Sequence, residues 1–217
     1  MSRKDARTID AMVDKAIVAL LKMDFKRVSH IAQKYESTFG RKYNNSIFDL
    51  FGMALYPIPD DLSPLAFVLS VPQMDSSKKL IDLMVRHGQD FMDNPKSGVS
   101  PMEVAIVTGQ AWALSHAINK HQTSFNPRKK FSDGSTLMHF ACLSGHTDCL
   151  DVLLNYGYVD LLNVKSADGR LPEDMIGKAD EVLSGIIGNP EAVRARIHQY
   201  RLSHNQIAPP TAVKSSK

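Results

Sequence analysis

Apolar residues recur every three or four positions along much of this chain, which is the spacing of an amphipathic helix. From Ile9 to Leu21 they fall at i, i+3, i+4, i+7, i+8, i+11 and i+12, and charged residues lie between them. A second stripe of the same kind runs from Phe25 to Tyr35. The pattern therefore predicts a helical hairpin, or a divergent capping repeat, over residues 1–35.

The helical pattern stops between residues 36 and 61. This stretch contains two prolines, Pro57 and Pro59, yet a cluster of apolar side chains surrounds Phe48 and Phe51. So apolar a stretch does not suit a free linker, and we expect an inserted loop that packs onto the helices. Two interpretations stay open: the loop only covers the core, or it also contributes to binding.

From residue 62 onward one local pattern is repeated. A short apolar helix begins after a small hydroxyl residue or a leucine, a turn follows, and a second apolar helix completes the unit. The units begin 37, 36 and 35 residues apart, at Ser63, Ser100, Thr136 and Leu171. Such a period indicates a stack of helix–turn–helix units. We place these units at 62–97, 98–133, 134–168 and 169–187.

The best copy of the unit lies between Asp133 and Gly157 and reads DGSTLMHFACLSGHTDCLDVLLNYG. It resembles the ankyrin repeat, whose pattern is T-P-L-H-x-A, then Gly-His, then a second helix that ends in Leu-Leu and Gly. Leu137 stands where the pattern has proline. The positions that carry the resemblance are Thr136, Met138, His139, Ala141, Gly145, His146, Leu153, Leu154 and Gly157.

The resemblance implies an all-α fold, an ankyrin-repeat solenoid of about four to five helix–turn–helix units. The N-terminal hairpin would cap one end, because a stack needs a terminal unit with a polar outer face. Near the other end, Asn189 and Pro190 signal the start of a C-terminal helix over residues 188–203. The tail 204–217 is rich in Pro, Ser and Lys, and we expect it to be disordered.

Composition narrows the class of protein. The net charge is +3, from 26 basic and 23 acidic residues, and this balance does not require a nucleic-acid partner. No apolar run approaches the ~20 residues of a membrane span, and no secretory signal is visible. Two cysteines suit a reducing compartment better than a disulfide scaffold. We expect a soluble, monomeric, intracellular and cytoplasmic protein, and we leave the nucleus and delivery into a host cell open.

Four residues of the best copy have the spacing H-x2-C-x3-H-x2-C, namely His139, Cys142, His146 and Cys149. One hypothesis is a zinc site, because all four types bind zinc. The resemblance implies another: the first histidine binds the backbone between neighbouring repeats, and the second lies at the helix turn. We prefer the latter and expect no metal and no cofactor.

Motifs of catalysis are missing from the sequence. It has no Gly-rich phosphate loop, no G-x-S-x-G and no H-E-x-x-H, so we expect no enzyme. The competing hypothesis is an active site within the insertion 36–61.

The resemblance further implies that the loops between units, with the first helices, line a concave surface that binds a partner protein. Adjacent cations such as Lys129 and Lys130 can attract an acidic partner, although the same residues suit an ordinary solvated loop. The candidate binding residues are Val99, Val107, Trp112, Lys129, Lys130, Phe131, Asp133, Ser135, Leu143, Ser144 and Arg170.

A competing hypothesis is a structural or regulatory subunit, or a secreted effector of an intracellular bacterium that acts on a host protein. Such a protein would bind through its N-terminal helices or through the insertion 36–61.

Overall fold

The computed structural model describes residues 63–70, 73, 77–93, 99–179 and 188–204, and scattered positions between 7 and 34. Every described position between 7 and 34 is helical except Asp24, whose carboxylate accepts a hydrogen bond from the backbone N–H of Arg27 at 3.0 Å. The predicted insertion 36–61, residues 180–187 and the predicted tail from residue 205 lie outside the described residues. The chain divides into two units, Met1–Pro101 and Met102–Lys217.

The first unit contains one of the helix pairs that the period predicts. Its helices are α1, Pro64–Ser70, and α2, Ser77–Arg86. The Ser63 hydroxyl oxygen accepts a hydrogen bond from the backbone N–H of Ala66 at 3.1 Å, as an N-cap does. Helix α2 ends just before Gly88, whose backbone has φ +88°. A residue with a positive φ does not continue an α-helix. The fully buried side chains of this unit include Leu65, Leu69, Ile81, Met84 and Phe91.

All the regular elements described in the second unit are helical. Two helix pairs come first: α3 (Pro101–Val107, whose first residue closes the first unit) with α4 (Ala111–Lys120), and α5 (Leu137–Ser144) with α6 (Thr147–Asn155). Two short 3-10 helices and a longer α-helix follow: η1 (Val159–Asn163), η2 (Pro172–Met175) and α7 (Pro190–His204). The described chain is thus helical, as predicted. None of its described helices is long and apolar enough to cross a membrane.

The turns inside successive helix pairs lie against one another. At the α3–α4 turn, a Cβ on Gly109 would lie 2.9 Å from Nδ1 of His146. At the α5–α6 turn, the backbone of Gly145 lies against the backbone of Gly188. A Cβ on Gly188 would lie 2.4 Å from the Gly145 carbonyl oxygen. The backbone N–H of Gly188 also donates to the carbonyl oxygen of Ser144 at 2.7 Å. The pairs therefore stack backbone on backbone at their turns.

Helix α7 begins beside the α5–α6 turn. The N–H of Asn189 donates to the carbonyl oxygen of Gly145 at 2.8 Å, so the turn before α7 continues the row of turns. The Asn189 side-chain oxygen accepts from the N–H groups of Glu191 and Ala192, at 3.0 and 3.2 Å, and so caps α7 as predicted. The sequence placed this helix after a last unit that ended at residue 187.

The first helix of this last unit is shorter than predicted. The pattern favoured a helix from Leu171 through Ile176, whereas η2 is a single 3-10 turn. The Asp174 carboxylate accepts from the N–H of Leu171 at 2.7 Å at its start, and Gly177, at φ +74°, follows its end. Helix η1 was not predicted, because five residues are too few to show a helical period.

Apolar contacts and ion pairs hold α7 in place. Val193 and Ile197 are buried, at 0% and 2% exposure. Arg196 lies 2.6 Å from the Asp151 carboxylate of α6, and Arg201 pairs with Glu173 of η2. Partly exposed ion pairs contribute ~0–1 kcal/mol each, whereas a buried aliphatic side chain contributes ~1.5–3 kcal/mol. The two apolar residues therefore dominate the attachment.

Substituting Gly145 with alanine should destabilise the second unit more than the same change at Gly157. Both glycines have left-handed backbones, φ +69° and +82°, so each change incurs about 1–2 kcal/mol of backbone strain. A methyl group at Gly145 would also lie 2.9 Å from the Gly188 carbonyl carbon, and such crowding adds about 1–3 kcal/mol. At Gly157 nothing lies within 4 Å.

Urea unfolding of the full chain, followed by the fluorescence of Trp112, measures this difference, since Trp112 is the single tryptophan and lies in the second unit. Equal losses of stability in the two variants would contradict close packing of the turns.

Candidate functional site

Two loops of the second unit have the same backbone turn at positions 35 residues apart, 131–135 and 166–170. In the first, the N–H of Phe131 donates to the carbonyl oxygen of Ser135 at 2.9 Å, and the glycine of an Asp-Gly pair has φ +73°. In the second, the N–H of Ser166 donates to the carbonyl oxygen of Arg170 at 2.9 Å, and the matching glycine has φ +82°. Asp-Gly suits such a bend because glycine takes the left-handed backbone without steric cost.

The two loops are joined to each other, and we call Arg128–Ser135 with Ser166–Arg170 the loop face. The backbone N–H of Ala167 donates to the carbonyl oxygen of Asp133 at 2.8 Å. Gly134 approaches so closely that a Cβ there would lie 2.8 Å from the Ala167 nitrogen. Neither loop is therefore free to move without the other.

His139 connects helix α5 to the loop face. Its Nδ1 accepts a hydrogen bond from the backbone N–H of Thr136 at 3.1 Å, so the proton of the neutral ring is on Nε2. Nε2 donates to the carbonyl oxygen of Arg170 at 3.2 Å. That oxygen also accepts from the N–H and the hydroxyl of Ser166, at 2.9 and 3.1 Å. The predicted bond from this histidine to the backbone of the neighbouring repeat is confirmed.

Three of the four residues of the zinc hypothesis have separate partners, and the fourth, Cys142, is buried. Both ring nitrogens of His139 are bonded to protein, and the ring of His146 lies against Gly109. Burial raises the pKa of the Cys149 thiol to about 12, and that of Cys142 higher still. Since the thiolate is the metal-binding form, burial opposes metal binding by both cysteines. A zinc ion here would have to break these contacts.

The carboxylates of the loop face shape its turns. Asp133 accepts from the N–H and the hydroxyl of Ser135, at 3.0 and 2.6 Å. Asp168 accepts from the Ser166 hydroxyl at 2.5 Å and pairs with Arg170. Hydrogen bonds from Ser166 and then Arg170 lower the pKa of Asp168 to about 2. Both acids thus hold loop structure, which explains them without a catalytic role.

Three consecutive cations begin the loop face, and they differ in whether they are paired with a carboxylate. Arg128 pairs with Asp160, and its guanidinium carbon lies 5.0 Å from the centre of the Tyr158 ring. Lys129 and Lys130 are exposed. In the described ranges, no carboxylate oxygen lies within 4.0 Å of either ammonium group. These two lysines therefore present positive charge to solvent.

The loop face brings together six of the candidate binding residues: Lys129, Lys130, Phe131, Asp133, Ser135 and Arg170. Ser135 is buried, and its hydroxyl donates to Asp133. Phe131 is half-buried and packs edge-on against Phe140, with ring centres 5.2 Å apart. The other four of these six side chains are exposed.

Three further candidates of the second unit lie away from the loop face, and a fourth belongs to the first unit. Val99 is 44% exposed but belongs to the first unit. Val107, Trp112 and Leu143 are half-buried residues of α3, α4 and α5. The indole N–H of Trp112 donates to the side-chain oxygen of Gln110 at 3.0 Å, so its polar edge already has a partner.

Ser144 corrects an expectation, because it was predicted to be exposed on the first helix and is fully buried. Its hydroxyl donates to the carbonyl oxygen of Ala141 at 3.0 Å, and its own carbonyl accepts from the N–H of Gly188. The stacked turn covers this residue, so it cannot contact a partner.

A groove of about 470 Å³ adjoins the loop face at Arg128, and the sequence interpretation missed it. The C-terminal end of α4 and the loop after it form one wall, and Tyr156 and Tyr158 form the other. We call this the tyrosine groove. The sequence feature that could have indicated the groove is the pair of tyrosines on either side of Gly157, because the repeat pattern specifies only the glycine there.

The bonds of His139 predict a pH-dependent stability. Burial lowers the pKa of His139 below the ordinary value of 6.5, although the bond to Arg170 acts in the opposite direction. As the pH falls below 6.5, the unfolded chain takes up a proton that the folded chain excludes, so the free energy of unfolding should decrease. This loss should continue until the pH reaches the lowered pKa.

The His139→Gln variant should lack this part of the pH dependence, whereas the exposed His198→Gln variant should retain it. Urea unfolding at several values between about pH 7 and about pH 5 measures the profiles. Identical profiles for His139→Gln and the natural chain would refute this assignment.

Comparison with known families places residues 133–167 in the ankyrin repeat. The match begins at Asp133 and ends at Ala167, the two residues whose backbones are bonded on the loop face. A comparison with curated proteins found no match to this chain. Ankyrin repeats are generally protein–protein interaction modules and are typically non-enzymatic. Residues 133–167 are therefore an ankyrin repeat, as the sequence predicted.

Proposed function

We propose that the second unit is a non-enzymatic module that binds a partner protein on its loop face. The observation that carries this proposal is the pair Lys129 and Lys130, exposed on a loop that the neighbouring repeat holds in place. Ankyrin repeats in general contact proteins, and the loops and the concave helix face are the surfaces that the resemblance implies.

The fixed geometry of the loop favours binding. The N–H of Ala167 is bonded to Asp133, and the turn itself is closed between Phe131 and Ser135. A loop that is already ordered loses little conformational entropy when it binds a partner, so more of the contact energy appears as affinity. A free solvated loop would lack this advantage.

The charge of the loop indicates the kind of surface that it would meet. Lys129 and Lys130 follow Arg128 directly, and Arg128 is already paired with Asp160. Two lysines that have no carboxylate partner among the described residues attract an acidic partner surface and speed its association, an effect that added salt screens. The partner in this proposal is therefore acidic where it meets the loop face.

Reversing the charge of both lysines should weaken capture of the partner. We expect the Lys129→Glu/Lys130→Glu variant, used as bait in lysate of the native cell, to retain on the order of tenfold less of the partner than the natural chain. Quantitative mass spectrometry of the captured proteins is the measurement, and raising the salt concentration should reduce capture by the natural chain.

The matched control is Lys78→Glu/Lys79→Glu, because these lysines are also adjacent and exposed but lie on α2 of the first unit. This variant should capture the partner as the natural chain does. If the control loses the partner and the loop variant keeps it, the contact lies on the first unit and the proposal fails.

A further inference from the structure

The tyrosine groove lies between the ends of two successive repeats. The end of α4 and the residues after it supply Asn119, Gln122 and Pro127, and the end of α6 supplies Tyr156 and Tyr158. With a volume of about 470 Å³, it is large enough for several residues of an extended peptide. It is lined by the C-terminal ends of α4 and α6 and the residues after them, and not by α3 or α5.

The aromatic wall of the groove is held in a fixed position. The Tyr156 hydroxyl accepts a hydrogen bond from the Asn119 side-chain amide and lies 3.3 Å from the Ser115 hydroxyl. The Tyr158 ring lies beneath the Arg128 guanidinium, at 5.0 Å, and Arg128 is itself held by Asp160. Both rings are thus preorganised, and a ligand need not order them.

The lining of the groove suits an extended peptide that contains proline. Aromatic-lined grooves bind proline-rich segments, because a polyproline helix is already extended and presents its rings to flat aromatic faces. The exposed amides of Gln122 and Asn126 can bond the peptide backbone, which has no internal hydrogen bonds in that conformation. A compact or helical ligand would leave those amides without partners.

The charge at one end of the groove selects the sign of the peptide. Arg128 lines the groove, and the chain continues directly into the exposed Lys129 and Lys130. Arg128 is paired with Asp160, and Asp133 and Asp168 are engaged by Ser135, Ser166 and Arg170 within the loop turns, so Lys129 and Lys130 supply the positive charge at this end. Charge complementarity therefore favours carboxylates in the peptide.

The geometry points to the tyrosine groove as the binding site of an extended, acidic, proline-containing segment of a partner protein. This inference rests on the proposed function, because it assumes that the second unit binds a protein. It adds a second contact surface and the chemistry of the segment that occupies it.

The test uses the full chain and a fluorescein-labelled peptide of four Glu-Pro repeats, with binding measured by fluorescence anisotropy. Peptides of four Lys-Pro repeats and of four Glu-Gly repeats serve as controls for charge and for proline. We expect the Glu-Pro peptide to bind at least about tenfold more tightly than either control. Equal binding of the Glu-Pro and Glu-Gly peptides would overturn the role of proline.

Variants of the groove then locate the site. Tyr158→Ala should weaken binding by about tenfold, whereas Tyr158→Phe keeps the ring and should bind as the natural chain does. Gln122 is exposed, so a charged residue can be introduced at this position without disturbing the core. Gln122→Glu should weaken binding and Gln122→Lys should strengthen it.

Three results would overturn the inference: no binding of the Glu-Pro peptide, no effect of Tyr158→Ala in a folded chain, or no effect of the charge changes at Gln122. Loss of binding in Lys129→Glu/Lys130→Glu alone, with the groove variants unaffected, would support the loop face and reject the groove. If the groove variants change peptide binding as expected but Lys129→Glu/Lys130→Glu does not reduce capture of the partner, the loop contact is rejected and the groove is kept.

Discussion

The second unit depends on backbones that approach too closely for a side chain to fit between them. At Gly145 and Gly188 this approach occurs between the turns of successive helix pairs, and at Gly134 and Ala167 it occurs between their loops. A helix pair cannot bury its apolar face alone, so each pair needs its neighbour at a fixed distance. Two rows of backbone contacts set that distance, and the buried side chains fill the space between the rows.

The bonds that join the repeats are also those that shape the surface offered to a partner. The carbonyl oxygen of Arg170 accepts from His139 in one repeat and from Ser166 in its own loop. Stacking and loop order are thus the same interaction, so a change that loosens the stack also disorders the surface. The tyrosine groove depends on stacking too, because its walls come from the α3–α4 and α5–α6 helix pairs.

Local signals in the sequence predicted the local structure well. Ser63 and Asn189 cap helices where the pattern placed them, and the family pattern predicted the bond of His139. Properties that depend on a neighbour were harder to predict. The burial of Ser144 comes from a turn more than forty residues later. The groove joins side chains from two repeats, which no single repeat pattern contains.

Helix α7 also bears on how many copies of the molecule can join end to end. A stack with an open apolar end can template the addition of another chain, as an unpaired strand edge does in a sheet. Helix α7 covers α5 and α6 at this end, because Val193 and Ile197 are buried there and Arg196 pairs with Asp151 of α6. A second chain that added to this side of α5 and α6 would first have to displace α7 and expose those two aliphatic side chains to water.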